Sequence, residues 1–241
     1  MITRPLPFSP YRRGVPATSG VRTPAEPGLI PFVIQREGEE AAPANLVIDR
    51  LAFGRYRLRY QDEDPRDRDL RGVLIARCAF NPVDERKMPT GTPQWKMMHP
   101  HRQIMTMQAM RCQVCAEPAR TPLGYVFLSG STGIDPERGP VLTNQPPVCA
   151  KHVRAAVALC PHLRMGTTVF LARSAPLYGV SGVLYGYGEG GVQVVASPDE
   201  PLPYGHPNLS TFLASQLLRR LSAFRVLEPA ELLAELAASA G

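Results

Sequence analysis

Met110-Arg111-Cys112-Gln113-Val114-Cys115-Ala116 and Pro146-Pro147-Val148-Cys149-Ala150-Lys151-His152-Val153 are the two stretches on which the reading of this chain turns. In the first, a two-residue spacer lets both thiolates face one cation while the intervening backbone N–H groups point at the sulfurs. In the second, Val153, Ala156 and Val157 open a helical period that runs to Cys160, so Cys149 and His152 share one face of its first turn. Between the stretches, Tyr125–Ser129 and Pro140–Thr143 read as strands separated by the turn-rich Gly130–Gly139, and upstream Gln103–Met110 reads as a strand.

This order of knuckle, hairpin and helix resembles the treble-clef zinc fingers, over residues 110–164 and nowhere else. The resemblance implies that Cys112, Cys115, Cys149 and His152 are the four ligands of a closed, tetrahedral, structural Zn2+ site. Ala116 departs from the pattern, standing where a glycine commonly follows the knuckle. Cys160 cannot join the same ion, because a continuous helix would carry it ~12 Å beyond His152; it reads as a packed core residue, as does Cys78. Treble-clef nucleases of the His-Asn-His type place one catalytic histidine in the hairpin and another in the helix. Here no histidine lies between Cys115 and Cys149, and His152 is assigned to zinc, so a nuclease would be a degenerate one.

Outward from this segment, 241 residues are enough for one large domain, and 44% hydrophobic with 20% charged residues excludes a wholly disordered chain. The 26 prolines, at roughly twice average usage, exclude helix bundles and coiled coils. Five cysteines form an odd set that argues for metal chemistry in a reducing compartment and against a disulfide framework. No apolar run approaches the ~20 residues of a membrane helix and the N-terminus has no signal-peptide pattern, so a soluble, cytoplasmic protein is expected. Residues 1–29 read as a Pro-rich flexible arm and 30–241 as a single α+β domain of mostly antiparallel sheet. Its strands are expected at Ile30–Gln35, Asn45–Tyr60, Gly72–Phe80, Thr168–Arg173, Tyr178–Tyr187 and Val192–Ala196, the last two joined by a turn at Gly188–Gly191. The segment 208–238 is expected to be helical, with Leu213, Leu217, Leu221 and Phe224 on one face and a second helix over Ala230–Ala238.

The net charge of +6 is concentrated in residues 51–120, which hold 13 basic and 8 acidic groups. There Arg55, Arg57 and Arg59 alternate along a strand and offer a stripe for anions, with Tyr56 and Tyr60 on the opposite, inward face. The acidic run Asp62, Glu63, Asp64, Asp67 and Asp69 contains Pro65, lacks the closing glutamate of a calcium loop and reads as a solvated loop balanced by arginines. Met97, Met98, His99, His101, Met105, Met107 and Met110 are soft ligands that read more simply as strand packing. His206 reads as a structural loop residue. The expected role is a zinc-stabilised, non-enzymatic protein for macromolecular binding or assembly, with an enzyme built from residues distant in sequence as the alternative. A protein partner or self-association is favoured over nucleic acid, because Leu213, Leu217 and Leu221 require burial somewhere; nucleic-acid binding through the arginine stripe would be weak and salt-sensitive.

Overall fold

In the computed structural model, residues 29–42, 45–130, 140–159, 163 and 166–239 are described. The Pro-rich arm up to residue 28, most of the expected turn at 130–139, Cys160 and His162 lie outside these residues. The chain runs β1 (Ile34–Arg36), β2 (Leu46–Arg50), β3 (Tyr56–Tyr60), β4 (Leu74–Ile75), β5 (Pro93–Met98), α1 (Pro100–Gln108), β6 (Tyr125–Gly130), β7 (Leu142–Thr143) and α2 (Val153–Leu159). It continues with β8 (Thr167–Ser174), β9 (Leu177–Gly188), β10 (Gly191–Ala196), β11 (Leu202–Pro203), β12 (Phe212–Arg220), β13 (Ser222–Leu227) and α3 (Pro229–Ala238). Strand pairing is antiparallel except between β12 and β4. Mixed α and β structure with mostly antiparallel sheet is therefore what the described residues form. Among them no helix is long and apolar enough to cross a membrane.

The largest sheet runs β10-β9-β12-β4, with β11 added to β9 and β7 to β12. β9 can lie this close to its neighbours because a Cβ at Gly179 or Gly182 would sit 2.0 Å from the carbonyl oxygen of Leu202 or Leu213. Along its other side β12 pairs with β4 at Leu213 and Ala214 and with β7 at Arg219 and Arg220, leaving a gap between them. The Gln103 carboxamide of α1 fills that gap: its oxygen accepts from Leu217 N at 3.0 Å and its nitrogen donates to Leu217 O at 2.9 Å. Arg219 of β12 in turn donates to the last carbonyls of α1, Met107 O at 2.7 Å and Gln108 O at 3.0 Å, which stabilises the negative end of the helix.

A second sheet, β13-β8-β6, separates two cores. Val126, Leu128, Val169 and Leu171 face a cluster that also holds Cys112, Val114, Val153, Ala156 and Leu232 of α3. Phe127, Phe170 and Ala172, the alternate residues, face Val141 and Leu221 on the other side. The β2–β3 hairpin forms a third layer in which Ile48, Leu58 and Tyr60 pack on Leu74, Val183 and Leu213.

Several expectations need correction. Gln103–Met110 is the body of α1 and its C-terminal turn, not a strand: Pro100 occupies the first helical position, and Ile104 and Met107 are buried while Met105 is 43% exposed. Tyr125–Ser129 and Pro140–Thr143 do not form a hairpin, since β6 pairs with β8 and β7 with β12. β6 is the edge strand of its three-stranded sheet, paired with β8 and, at Val126, bridged to Val148; both its faces are covered, Val126 and Leu128 by one core and Phe127 by the other. The 208–238 segment opens in a 3-10 turn, Pro207–Thr211, continues as β12 and β13, and is α-helical only over Pro229–Ala238. Leu213, Leu217 and Leu221 mimic a helical face by their four-residue spacing, but each is buried in a different cluster, with a register shift in β12 between Ala214 and Gln216 and Leu221 lying between the two strands. Asn45–Tyr60 is a hairpin and not one strand. The acidic loop is not solvated throughout, because Asp67 and Asp69 are buried. Asp67 takes Arg77 at 2.7 Å, and Asp69 accepts from Val73 N at 2.8 Å and from the Tyr204 hydroxyl.

Candidate metal centre

The first cysteine pair lies in a tight turn held by Ala116 N→Cys112 O at 2.8 Å and Cys112 N→Glu117 O at 2.7 Å. Val114 N points at the Cys112 sulfur at 3.4 Å, an N–H to thiolate contact typical of a metal knuckle. The turn requires a left-handed residue after Cys115, and Ala116 adopts it at φ 60°. A side chain there costs about 1 kcal/mol relative to glycine.

Cys149 is brought opposite by the prolines that precede it. Pro146 and Pro147 have no N–H, so their carbonyls are left to accept, and both accept from Gln113: Gln113 N→Pro147 O at 2.9 Å and Gln113 Nε2→Pro146 O at 3.0 Å. Val148 N then bonds Val126 O at 2.8 Å, fixing the segment to β6. From Cys149 the chain enters a single 3-10 turn, Ala150–His152, that runs into α2. His152 N→Cys149 O at 2.9 Å closes the turn and sets the two side chains on one side.

The four donor atoms of Cys112, Cys115, Cys149 and His152 lie within 4.8 Å of one another. Individual separations are 3.9 Å between the Cys115 and Cys149 sulfurs, 4.0 Å from Cys112 Sγ to His152 Nδ1 and 3.2 Å from Cys149 Sγ to His152 Nδ1. A tetrahedral ion with bonds of 2.0–2.3 Å needs edges of about 3.3–3.8 Å; these three separations lie within a few tenths of an ångström of that range, and all the donors lie within 4.8 Å of one another. Crowding three sulfurs together also splits their proton affinities. A hydrogen bond from Cys149 holds the Cys112 thiol down to about 5, whereas that same bond together with burial raises Cys149, and burial raises Cys115. A divalent cation removes the conflict by compensating all three thiolates at once.

The remaining sequence candidates are dispersed. Arg55, Arg57 and Arg59 follow the alternation of β3 outward, but Arg59 is bound to Asp49 at 2.6 Å and Arg57 to Glu63 at 3.3 Å. Tyr60 is buried on the inner face, as expected, while Tyr56 is 43% exposed. Cys78 is buried away from the cluster, its thiol directed at Glu39 O at 3.0 Å. His206 accepts from Asn208 N at 3.2 Å, a local structural role. His99 is fully buried, its Nε2 3.0 Å from Ala79 O and its ring 4.5 Å from that of Phe80.

Other chemistry is assembled from residues distant in sequence. Glu39, with no exposed surface, accepts from both terminal nitrogens of Arg102 at 2.6 and 2.5 Å, and from Arg36 N and Asn81 N. Burial, then the nearby Arg102 charge, lowers Arg36 to about 10. A cleft of about 620 Å³ is lined by Arg120, Arg173 and Arg225 together with Leu123 and Leu171. Only the sequence distance between partners hid these sites; each residue is unremarkable alone. Comparison with protein-family models, with curated proteins and with solved structures finds no match to this chain.

Proposed function

We propose that this protein is a zinc-stabilised scaffold that binds another macromolecule and does not itself turn over a substrate. The observation that carries the reading is the closed donor set: three sulfurs and one imidazole nitrogen within 4.8 Å, on a knuckle and a helix start that belong to the main core. Four protein ligands complete a tetrahedral zinc ion and leave no position for a reacting water, which is structural chemistry. The module is treble-clef-like in its knuckle and ligand-bearing helix start, with β8 in the place of a hairpin partner for β6. The arginine cleft offers the guanidiniums of Arg120 and Arg173 to an anion, while Arg225 is paired with Glu235 at 2.5 Å. Thiolate ligands require a reducing setting, in keeping with a cytoplasmic protein.

The leucines that favoured a protein partner in the sequence, Leu213, Leu217 and Leu221, are interior residues, so the partner class must be argued from the exposed surface instead. Native mass spectrometry of the purified chain tests the metal part. One zinc per chain, lost together with the fold of the central module on Cys149→Ala, is the expected result. A metal-free protein with the same thermal stability as the zinc-loaded one would overturn it.

A further inference from the structure

The β2–β3 hairpin extends past the core it covers. Ile48 and Leu58 are buried as a cross-strand pair, yet the next inward pair, Arg50 and Tyr56, is exposed, and the connection between them is Leu51–Arg55. At its tip Phe53 is 97% exposed, and both Phe53 and Gly54 have positive φ, at 59° and 70°. Two consecutive left-handed residues make the tight primed turn that matches hairpin twist, and the residue favoured at the first of those positions is asparagine. Phenylalanine there is unfavourable twice over, in backbone conformation and in leaving an aromatic ring in water. A feature that costs stability and contributes nothing to the core points to a contact made with something else.

The surroundings define its chemistry. Leu51 and Tyr56 flank Phe53, and Tyr187 at the end of β9 meets Tyr56 edge-on at 6.4 Å while its hydroxyl donates to Ile48 O at 2.7 Å, bracing the overhang. Four arginines and a single acid fall within residues 49–59, and that acid, Asp49, is occupied by Arg59. Arg50 and Arg55 have no carboxylate partner among the described residues, and Arg57 keeps only the 3.3 Å contact to Glu63. Arg55 and Arg57, two residues apart on one side of the strand, present cations ~6.6 Å apart.

We infer that this overhang is a binding element for single-stranded nucleic acid, in which Phe53 and Tyr56 stack on bases and Arg50, Arg55 and Arg57 hold phosphates. Exposed aromatic rings interleaved with arginines, two of which have no carboxylate partner among the described residues, are the combination that holds such strands, and a flat ring at a hairpin tip stacks on an unpaired base without the unstacking cost a duplex imposes. The inference rests on the binding-scaffold reading and names its partner class; zinc content is measured independently, so its failure leaves the metal reading intact.

The test is fluorescence anisotropy of the zinc-loaded full chain with a labelled mixed-sequence oligonucleotide, single-stranded and as a duplex, across a salt series. Binding should favour the single strand. Phe53→Asn should weaken it about tenfold at every salt concentration, while raising the thermal stability because asparagine suits the turn. Arg55→Gln should instead reduce the slope of log affinity against log salt by about 0.7, one phosphate's worth of released counterion. The inference is overturned by absence of binding at low salt, by preference for the duplex, by a Phe53→Asn variant that binds unchanged, or by Phe53-dependent association with anionic lipid vesicles in place of the oligonucleotide.

Discussion

Two neighbouring clusters of this molecule, joined where Phe32 N and Val33 N donate to Val114 O and Gln113 O of the knuckle, are held by opposite means. Around Cys112, Val126, Val153 and Leu232 the core is apolar, and set into it is a group of donors close enough together to hold a cation. Around Glu39, the buried groups are charged and paired within the chain: both terminal nitrogens of Arg102 donate to Glu39, one of them also to Ile34 O, and the Arg36 guanidinium donates to the carbonyls of Ile34, Pro31 and Pro89, while Arg102 Nε has no partner among the described residues. On the proposed zinc reading the first cluster depends on something the chain does not encode. The second relies on the chain's own groups but is intolerant, since deleting Glu39 leaves a buried guanidinium without its counterion. The difference teaches that, on that reading, stability has two kinds of source, one tunable from outside and one fixed by the sequence.

The largest effect should come from removing the cation. Structural zinc contributes on the order of 10 kcal/mol in small zinc modules, so a strong chelator or Cys149→Ala should unfold α2 and α3 and deprotect β6 and β8. Hydrogen exchange should find β1, β5 and α1 still protected; if both clusters open together, the two are one cooperative unit and the contrast is broken. Next is Glu39→Gln, which strands the Arg102 guanidinium and should cost about 3–5 kcal/mol in urea unfolding. Zinc content should not change, and a variant that loses metal would show that the clusters communicate.

His99 sharpens the contrast through pH. Burial first, and then the Arg102 charge, lower its pKa to about 4, with Glu39 and His101 the other charged or titratable groups acting on it. A depressed folded-state pKa means that the unfolded chain takes up a proton that the native one refuses. Stability from neutral His99 is therefore complete above about 6.5 and lost as pH falls to about 4, a change of about 3 kcal/mol. Because acid also releases zinc, the measurement is the stability difference between wild type and His99→Gln at each pH; a difference that stays flat from pH 7 to 4 would refute it. The smallest effect is a gain. Ala116→Gly should relieve the left-handed alanine of the knuckle and raise the melting temperature of the zinc-loaded protein by the equivalent of about 1 kcal/mol. A loss instead would mean that the knuckle tolerates its alanine through contacts a glycine forfeits.

The metal cluster was legible because ligand chemistry is local: two residues separate Cys112 from Cys115 and Cys149 from His152, and nothing else in the chain explains both spacings. The β9–β10 hairpin was legible for the same reason, through its run of glycines. α1 was not, because its buried face carries Arg102, Gln103 and Thr106, whose partners lie on other elements, so the apolar period never surfaces in the sequence. β12 failed differently: buried on both faces between β9 and β4, it shows no alternation, and its four-residue leucine spacing mimics a helical face. Glu39 could not be singled out at all, since the guanidinium that makes it matter is 63 residues away.

The Gln103 carboxamide, inserted where β12 lacks a strand neighbour, carries a consequence for how the chain assembles. It joins residues 114 positions apart, so the loop it closes is among the last to become entropically accessible. Until α1 docks, Leu217 keeps a free peptide group in the middle of the sheet, open to pairing in the wrong register or with another chain. Docking of α1 closes that opening. Gln103→Leu should accelerate unfolding with little change in the folding rate, the kinetic mark of a contact made after the transition state, and stopped-flow chevrons that show the slowdown on the folding arm would place it earlier.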